Sequence, residues 1–494
     1  MLKDAAIMRK HSISIFQAGV AAADPQQAVK RFLFADSEQL KIRLLNTIRL
    51  YALEGTERIE GLSELGFDKL SPNGTLELRN DLIAPDFNQI RTDKWQKIHI
   101  IAFGKAAVAM AIAARQTVPK ALQSEPGLIV TTAEQLTIVE GFEVFAAGHP
   151  IPDQNGLNAA RVIAERLANA QADELVLLLI SGGGSALLPY PVDGVSLADK
   201  IATTELLLAC GADINQINCV RKHLSKFKGG GMAKLAVPAD LHALILSDVL
   251  GDDLSTIASG PSVADPTHFI DAISILKEKQ VWLQTPASVQ TYLQQGADQL
   301  NPETLKADDA VLIKTSHSLI ASNAISVSAA INAAQQLGYQ TQLYSDQLTG
   351  EARQVAEQWL LACKTQFTDG LTQPVAMIAG GETTVTLTGT GKGGRNQEMA
   401  LAFALAAEQQ PLDYEWHFLS AGTDGRDGPT DAAGGMVNRD TLSKVRLAGI
   451  DPHAALANND SYTALKAADD LLITGATGTN VADLQVLLLH PQTN

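Results

Sequence analysis

Cysteine, aromatic side chains and positive charge are all scarce in this chain of 494 residues. Its three cysteines, Cys210, Cys219 and Cys363, fit neither a disulfide framework nor zinc-ligand spacing, which points to a reducing, cytoplasmic setting. Aromatics make up only 5%, so the cores have to be built from Ala, Leu, Val and Ile, as in helix-on-sheet packing. A net charge of −16 argues against nucleic acid or an anionic membrane as partner. Apolar runs such as LVLLLI at 175–180 are too short to cross a bilayer, and MLKDAAIMRKHSISIF lacks the continuous apolar region of a signal peptide.

What the chain does have is a core-forming composition, 46% hydrophobic against 19% charged. At this length two or three domains are expected. KIHIIAF (97–103), GLIVTT (127–132), LVLLLI (175–180) and LHALILS (241–247) read as buried parallel strands, separated by amphipathic helices. A second series, AVLIKTS (310–316), YQTQLYS (339–345), PVAMIAG (374–380) and WHFLSAG (416–422), follows a Gln-rich helical stretch at 270–305. TTVTLT (383–388) alternates apolar residues with Thr and predicts an antiparallel or half-exposed strand. The fold class is therefore α/β. The first domain is a doubly wound, Rossmann-like parallel sheet over 1–280, and the second, over 300–494, has a mixed sheet.

In open α/β sheets, ligands bind beyond the carboxyl ends of the strands. Ser181-Gly182-Gly183-Gly184-Ser185 follows LVLLLI there, and its exposed amides favour phosphate. RKHLSKFKGGGMAK (221–234) sets Lys222 and other cations beside Gly229 and Gly230, again suited to an anion. Asp248 and Asp252 lie just past LHALILS, where one or two carboxylates would hold Mg²⁺ together with substrate phosphates. Lys105 opens a helix after Gly104, against the helix dipole unless an anion offsets it. No Walker A motif is present, and the G-x-G-x-x-G match at 389–394 lacks the strand context of a dinucleotide site.

The segment SAGTDGRDGPTDAAGG (420–435) crowds Asp424, Asp427 and Asp431 among glycines. An EF-hand reading fails, because Arg426, Gly428 and Gly435 occupy ligand positions counted from Asp424. A plain surface turn is the alternative to a ligand-facing loop.

Taken in order, FGKAA (103–107), SGGGSALL (181–188), RKHLSKFKGGGMA (221–233), LSDVLGDDLSTIASGPS (246–262), GGETTVTLTGTGKGGRNQE (380–398) and SAGTDGRDGPTDAAGG resemble one family, the class II or MOFRL-type glycerate 2-kinases. The resemblance implies an active site in the cleft between two α/β domains, and ATP- and Mg²⁺-dependent phosphorylation of D-glycerate to 2-phosphoglycerate. By motif, Lys105 and Arg395 match the family's basic cleft residues; Gly231 departs from it, where a larger residue is common. The expected site comprises Lys105, Arg395 and Asp424 for catalysis and Asp248 and Asp252 for metal. Ser181, Gly182, Gly183, Gly184, Ser185, Lys222, Gly229 and Gly230 are assigned to the nucleotide. The rivals are an NAD(P)H-dependent hydroxypyruvate reductase and a non-catalytic sugar-acid binding protein. Whether the chain forms a homo-oligomer is left open.

Overall fold

The computed structural model describes residues 2–36, 39–44, 90–368 and 370–491, so residues 45–89 of the expected first domain lie outside the described residues. The described chain divides into two compact units, one of residues within 25–320 and one of residues 2–24 with 321–491.

Within the first unit, three short strands, β1 (Leu33–Ala35), β2 (Leu40–Arg43) and β3 (Ile90–Thr92), form a small antiparallel sheet. The main sheet contains β4 (Lys97–Phe103), β5 (Gly127–Thr131), β6 (Phe142–Ala146), β7 (Glu174–Ile180), β8 (Asp240–Leu246) and β9 (Thr315–Ala321). Their order is β6-β5-β4-β7-β8-β9, and the pairings from β6 to β8 are all parallel. This is the doubly wound order, whose direction of winding reverses between β4 and β7. β5, β7 and β8 are buried along their whole length, which is why they read as continuous apolar runs. The helix Gln154–Ala168 covers one face with Ala159, Ala160, Ile163 and Leu167, and Asp153 caps it through the Gly156 N–H.

The second unit holds β10 (Gln340–Leu348), β11 (Val375–Gly381), β12 (Glu415–Gly422), β13 (Gly434–Asn438), β14 (Leu471–Leu472) and β15 (Asp483–His490), in the order β10-β11-β15-β12-β13-β14. Only β10 and β11 run parallel; the other four pairings are antiparallel, so the sheet is mixed. The helices Ala352–Gln366 and Arg395–Gln409 pack on one face around Trp359, Phe403 and Phe418. On the other face lie Asn323–Gln336 and the N-terminal helix Leu2–Ala22, through Met8, Ile15, Phe16 and Ile331. Residues 2–24, which the sequence pattern groups with the first domain, thus belong to the second unit.

Two expected strands take other forms. AVLIK is a 3₁₀ helix, Ala310–Lys314, because the Asp309 carboxylate accepts from the Val311 N–H and its carbonyl from the Leu312 N–H. The chain becomes extended only from Thr315. TTVTLT joins no sheet. Its N–H groups go elsewhere: Thr384 to Gly350 O, Thr386 to the Glu351 carboxylate and Thr388 to the Asn459 side chain.

Candidate active site

The carboxyl ends of β4 and β7, on either side of the winding reversal, deliver Gly104-Lys105 and Ser181–Ser185 side by side. The two loops are bonded together: Ser181 N donates to Phe103 O at 3.0 Å, Lys105 N to Gly182 O at 2.9 Å and Ala106 N to Ser181 Oγ at 3.1 Å. Any side chain on Gly182 would run into the Asp248 carboxylate. Gly183 has a φ of +85°, and its missing side chain leaves room for the His149 ring and the Lys105 stem. Among the described residues the N–H groups of Gly182 and Gly183 have no protein acceptor. Two adjacent free amides of this kind make an anion-binding concavity. Beyond them the chain forms only one helical turn, Gly184–Leu187, so the amides rather than a long helix supply the positive potential.

Lys105, His149 and Asp248 surround this loop. Burial raises the Asp248 carboxyl above the ordinary range, with Lys105 and His149 pulling it back. Burial, then the charge of Lys105, lowers the His149 imidazole, against Asp248 and Glu134. Asp252 sits at a φ of +54° in a turn that its N–H closes on Val249 O. Its neighbour Asp253 holds Ser255 and Thr256. Among the described residues no group of three or more metal-ligating side chains occurs.

Other sequence candidates in this unit have protein partners. Lys222 Nζ lies 3.3 Å from the Asp265 carboxylate. Gly229 and Gly230, expected to face phosphate, donate instead to Ser259 O and Gly260 O at 3.0 and 2.7 Å. Their left-handed backbone, and the approach of Leu305 to Gly230, account for glycine there.

The second unit has its own cluster at the start of the helix Arg395–Gln409. Arg395 grips Asp483 with Nε and one terminal nitrogen, at 2.6 and 2.9 Å, and reaches Glu382 with the other at 2.7 Å. Burial works against its charge, but Asp483, then Glu382, raise its pKa above the usual range. Asp427 is buried and caps the helix from outside: it accepts from Gln397 N at 2.9 Å and Asn396 N at 3.2 Å, and from both side-chain amides. Burial pushes its carboxyl up to about 6, its hydrogen bonds opposing and Asp483 adding to the rise. Asp424 is half-buried beyond the end of β12, accepting from Arg426 N at 2.9 Å. Asp431 is exposed and accepts from the Tyr462 hydroxyl at 2.8 Å. The three aspartates thus do three different things.

The glycine run 389–394 is seated on the turn Asn458–Asp460. Gly389 N and Thr388 N donate to Asn459 Oδ1, Gly391 N to Asn458 O and Lys392 N to Asp460 Oδ1. A side chain on Gly391 would collide with Asp460, and one on Gly394 with Asp427. These glycines meet protein rather than pyrophosphate.

Glu382 follows the strand read at 374–380, whereas His149 and Asp483 are site residues that the sequence reading does not single out. His149 follows β6, whose half-buried pattern marks no strand, and Asp483 opens β15, whose apolar run VLLL (486–489) the sequence reading passes over. "Acid or histidine beside a strand end" was the available signal, and it needed those strands.

Comparisons with known proteins agree with this architecture. Residues 11–294 match a family described as a domain of unknown function (DUF4147), and residues 375–483 match the MOFRL family. A glycerate 2-kinase from Pyrococcus horikoshii is 42% identical, covering 80% of this chain and 87% of the relative. The chain belongs to the glycerate 2-kinase family. The crystal structure of a glycerate kinase from Thermotoga maritima superposes with a TM-score of 0.77 at 35% identity, over 98% of this chain and all of that one. A putative hydroxypyruvate reductase from Agrobacterium vitis is 41% identical over 79% of this chain and 86% of its own length. Relatives named for a kinase and for a reductase are thus similar to this chain at nearly the same identity.

Proposed function

We propose that this protein transfers the γ-phosphoryl group of ATP to the 2-hydroxyl of D-glycerate, giving 2-phosphoglycerate and ADP. The observation that carries the reading is the pair of free amides at Gly182 and Gly183, flanked by Lys105 and Asp248 at the winding reversal of a doubly wound sheet. Phosphoryl transfer needs positioned phosphates, cations on the equatorial oxygens, a metal and an oriented hydroxyl, and little covalent chemistry from the protein.

In this assignment the Gly182 and Gly183 amides cradle nucleotide phosphates, and the exposed Lys105 ammonium neutralises charge on the group in flight. Asp248 fits Mg²⁺: it is a half-buried oxygen donor against the phosphate loop, and its raised pKa marks a carboxylate that a nearby cation would stabilise. The bound ion would neutralise the phosphate oxygens. Asp252 remains a weaker candidate ligand. Asp424 is assigned to orient the 2-hydroxyl and take its proton as the new O–P bond forms and the bond to the β-phosphate oxygen breaks. Arg395 has three of its five N–H groups on carboxylates, so two are left to hold the glycerate carboxylate.

A coupled assay with ATP, Mg²⁺ and D-glycerate, with the product's phosphate position read by NMR, tests this; no ADP formed, or 3-phosphoglycerate as product, would overturn it. The reductase reading rests on a relative's name. The loop that would carry its dinucleotide is taken up by Asn458–Asp460, and mixing NADH with hydroxypyruvate should leave the absorbance unchanged.

A further inference from the structure

Behind Ser185, three cations stand without a carboxylate. Lys228 is 3% exposed and Lys200 is 5% exposed, while Arg221 is half-buried. The Lys228 ammonium donates to Ser185 O at 3.0 Å and Ser185 Oγ at 2.7 Å. Arg221 donates to the same carbonyl at 3.3 Å, and Lys200 donates to Leu224 O at 3.1 Å. Among the described residues none of the three forms an ion pair, although neighbouring Lys222 and Lys226 are paired with Asp265 and Asp193. Burial, and after it the repulsion of neighbouring cations, holds both lysines well below the usual ammonium range. A buried cation without a counter-charge is unfavourable unless something supplies one.

The hydroxyls nearby fix the direction of the arrangement. Ser259 Oγ donates to Asn218 Oδ1 at 3.0 Å, since an amide oxygen can only accept. The 2.8 Å contact between Ser185 and Ser259 must then run from Ser185 to Ser259. Ser185 thus turns its proton inward while accepting from Lys228. What this segment presents outward is backbone amide and the field of three cations.

We propose that Lys228, Arg221 and Lys200 form a buried cation cluster whose counter-charge is a polyphosphate-class anion held at the 182–185 loop. The inference rests on the reading of that loop as the nucleotide-phosphate site. These are positioning residues: Lys228 and Arg221 act on the loop through Ser185, Lys200 adds to the field beside Lys228, and none need touch the ligand. In the free protein no carboxylate balances them, and the bound anion supplies the counter-charge that favours their protonated forms.

Inorganic tripolyphosphate without Mg²⁺ isolates this effect, because it lacks base, ribose and acceptor. Its affinity would be measured by thermal shift on the full chain as wild type, Lys228→Met and Lys200→Met. Two variants guard against one that does not fold. Both substitutions should weaken tripolyphosphate at least about tenfold. They should also shrink its salt dependence and leave the KM for glycerate within about twofold of wild type. Affinity within about twofold of wild type in either folded variant overturns the cluster. Should tripolyphosphate bind as described while no phosphoryl group reaches D-glycerate, the reaction assignment fails and the cation cluster stands. Active enzyme with unaltered tripolyphosphate binding in the variants gives the reverse.

Discussion

Asp427 and His417 lie in the same unit, and their titrations change stability in opposite directions. With its carboxyl pushed up to about 6, folded Asp427 keeps a proton that the unfolded chain loses from about pH 4, so this residue lowers stability as pH rises through that window. His417, in β12, is fully buried, with neither ring nitrogen bonded among the described residues; burial, then Arg9, brings its pKa down to about 3. The unfolded imidazole takes up a proton below about pH 6.5 while the folded one does not, so stability falls as pH drops. The full effects are roughly 3 and 5 kcal/mol, opposed between about pH 4 and 6. Urea unfolding across that window should rise more steeply with pH in Asp427→Asn than in wild type, and should decline with pH in His417→Leu. Equal slopes in all three proteins would refute the assignment. For catalysis, Lys105→Ala removes an exposed side chain and should leave the melting temperature unchanged. It should lower kcat/KM about a hundredfold, near 3 kcal/mol of transition-state stabilisation. Arg395→Lys cannot reproduce the fork on Asp483 and should be nearly as damaging as Arg395→Ala in steady-state kinetics.

Among elements, the loop 389–394 and the turn Asn458–Asp460 act as one piece. Asn459 accepts from two backbone N–H groups and donates to Glu398 and Thr386, from a backbone at a φ of +54°. Asn459→Ala should cost about 2–4 kcal/mol in denaturant unfolding, because it strands buried partners and removes a residue type tolerant of that conformation. Periodicity showed β4, β5, β7 and β8 plainly, because strands buried on both faces carry unbroken apolar runs. It failed where local hydrogen bonding decided the backbone, at Ala310–Lys314 and across 383–388. β6 was hidden by its half-buried pattern, and β13 by its two leading glycines. The carboxylate roles in 420–435 were equally out of reach. Asp427 is bonded to a helix start about 30 residues upstream, and nothing in its own neighbourhood records that.

For the whole chain, ATP with Mg²⁺ at about a hundred times its Kd should stabilise the folded protein by about 2.7 kcal/mol, seen as an upward shift in thermal unfolding. EDTA should remove most of that shift, and activity with it, if Asp248 holds the ion. The chain's amino-acid sequence by itself determined the α/β class, the loops that follow buried strands and the ordered motifs of the glycerate 2-kinase family, because short-range patterning and glycine placement carry that information. Tertiary structure alone decided that β15 inserts between β11 and β12, and that residues 2–24 join residues 321–491. It also decided which aspartate caps a helix, which pairs with Arg395 and which stays half-exposed. Those outcomes depend on contacts between residues tens to hundreds of positions apart, and no local pattern encodes which distant partner satisfies a buried polar group.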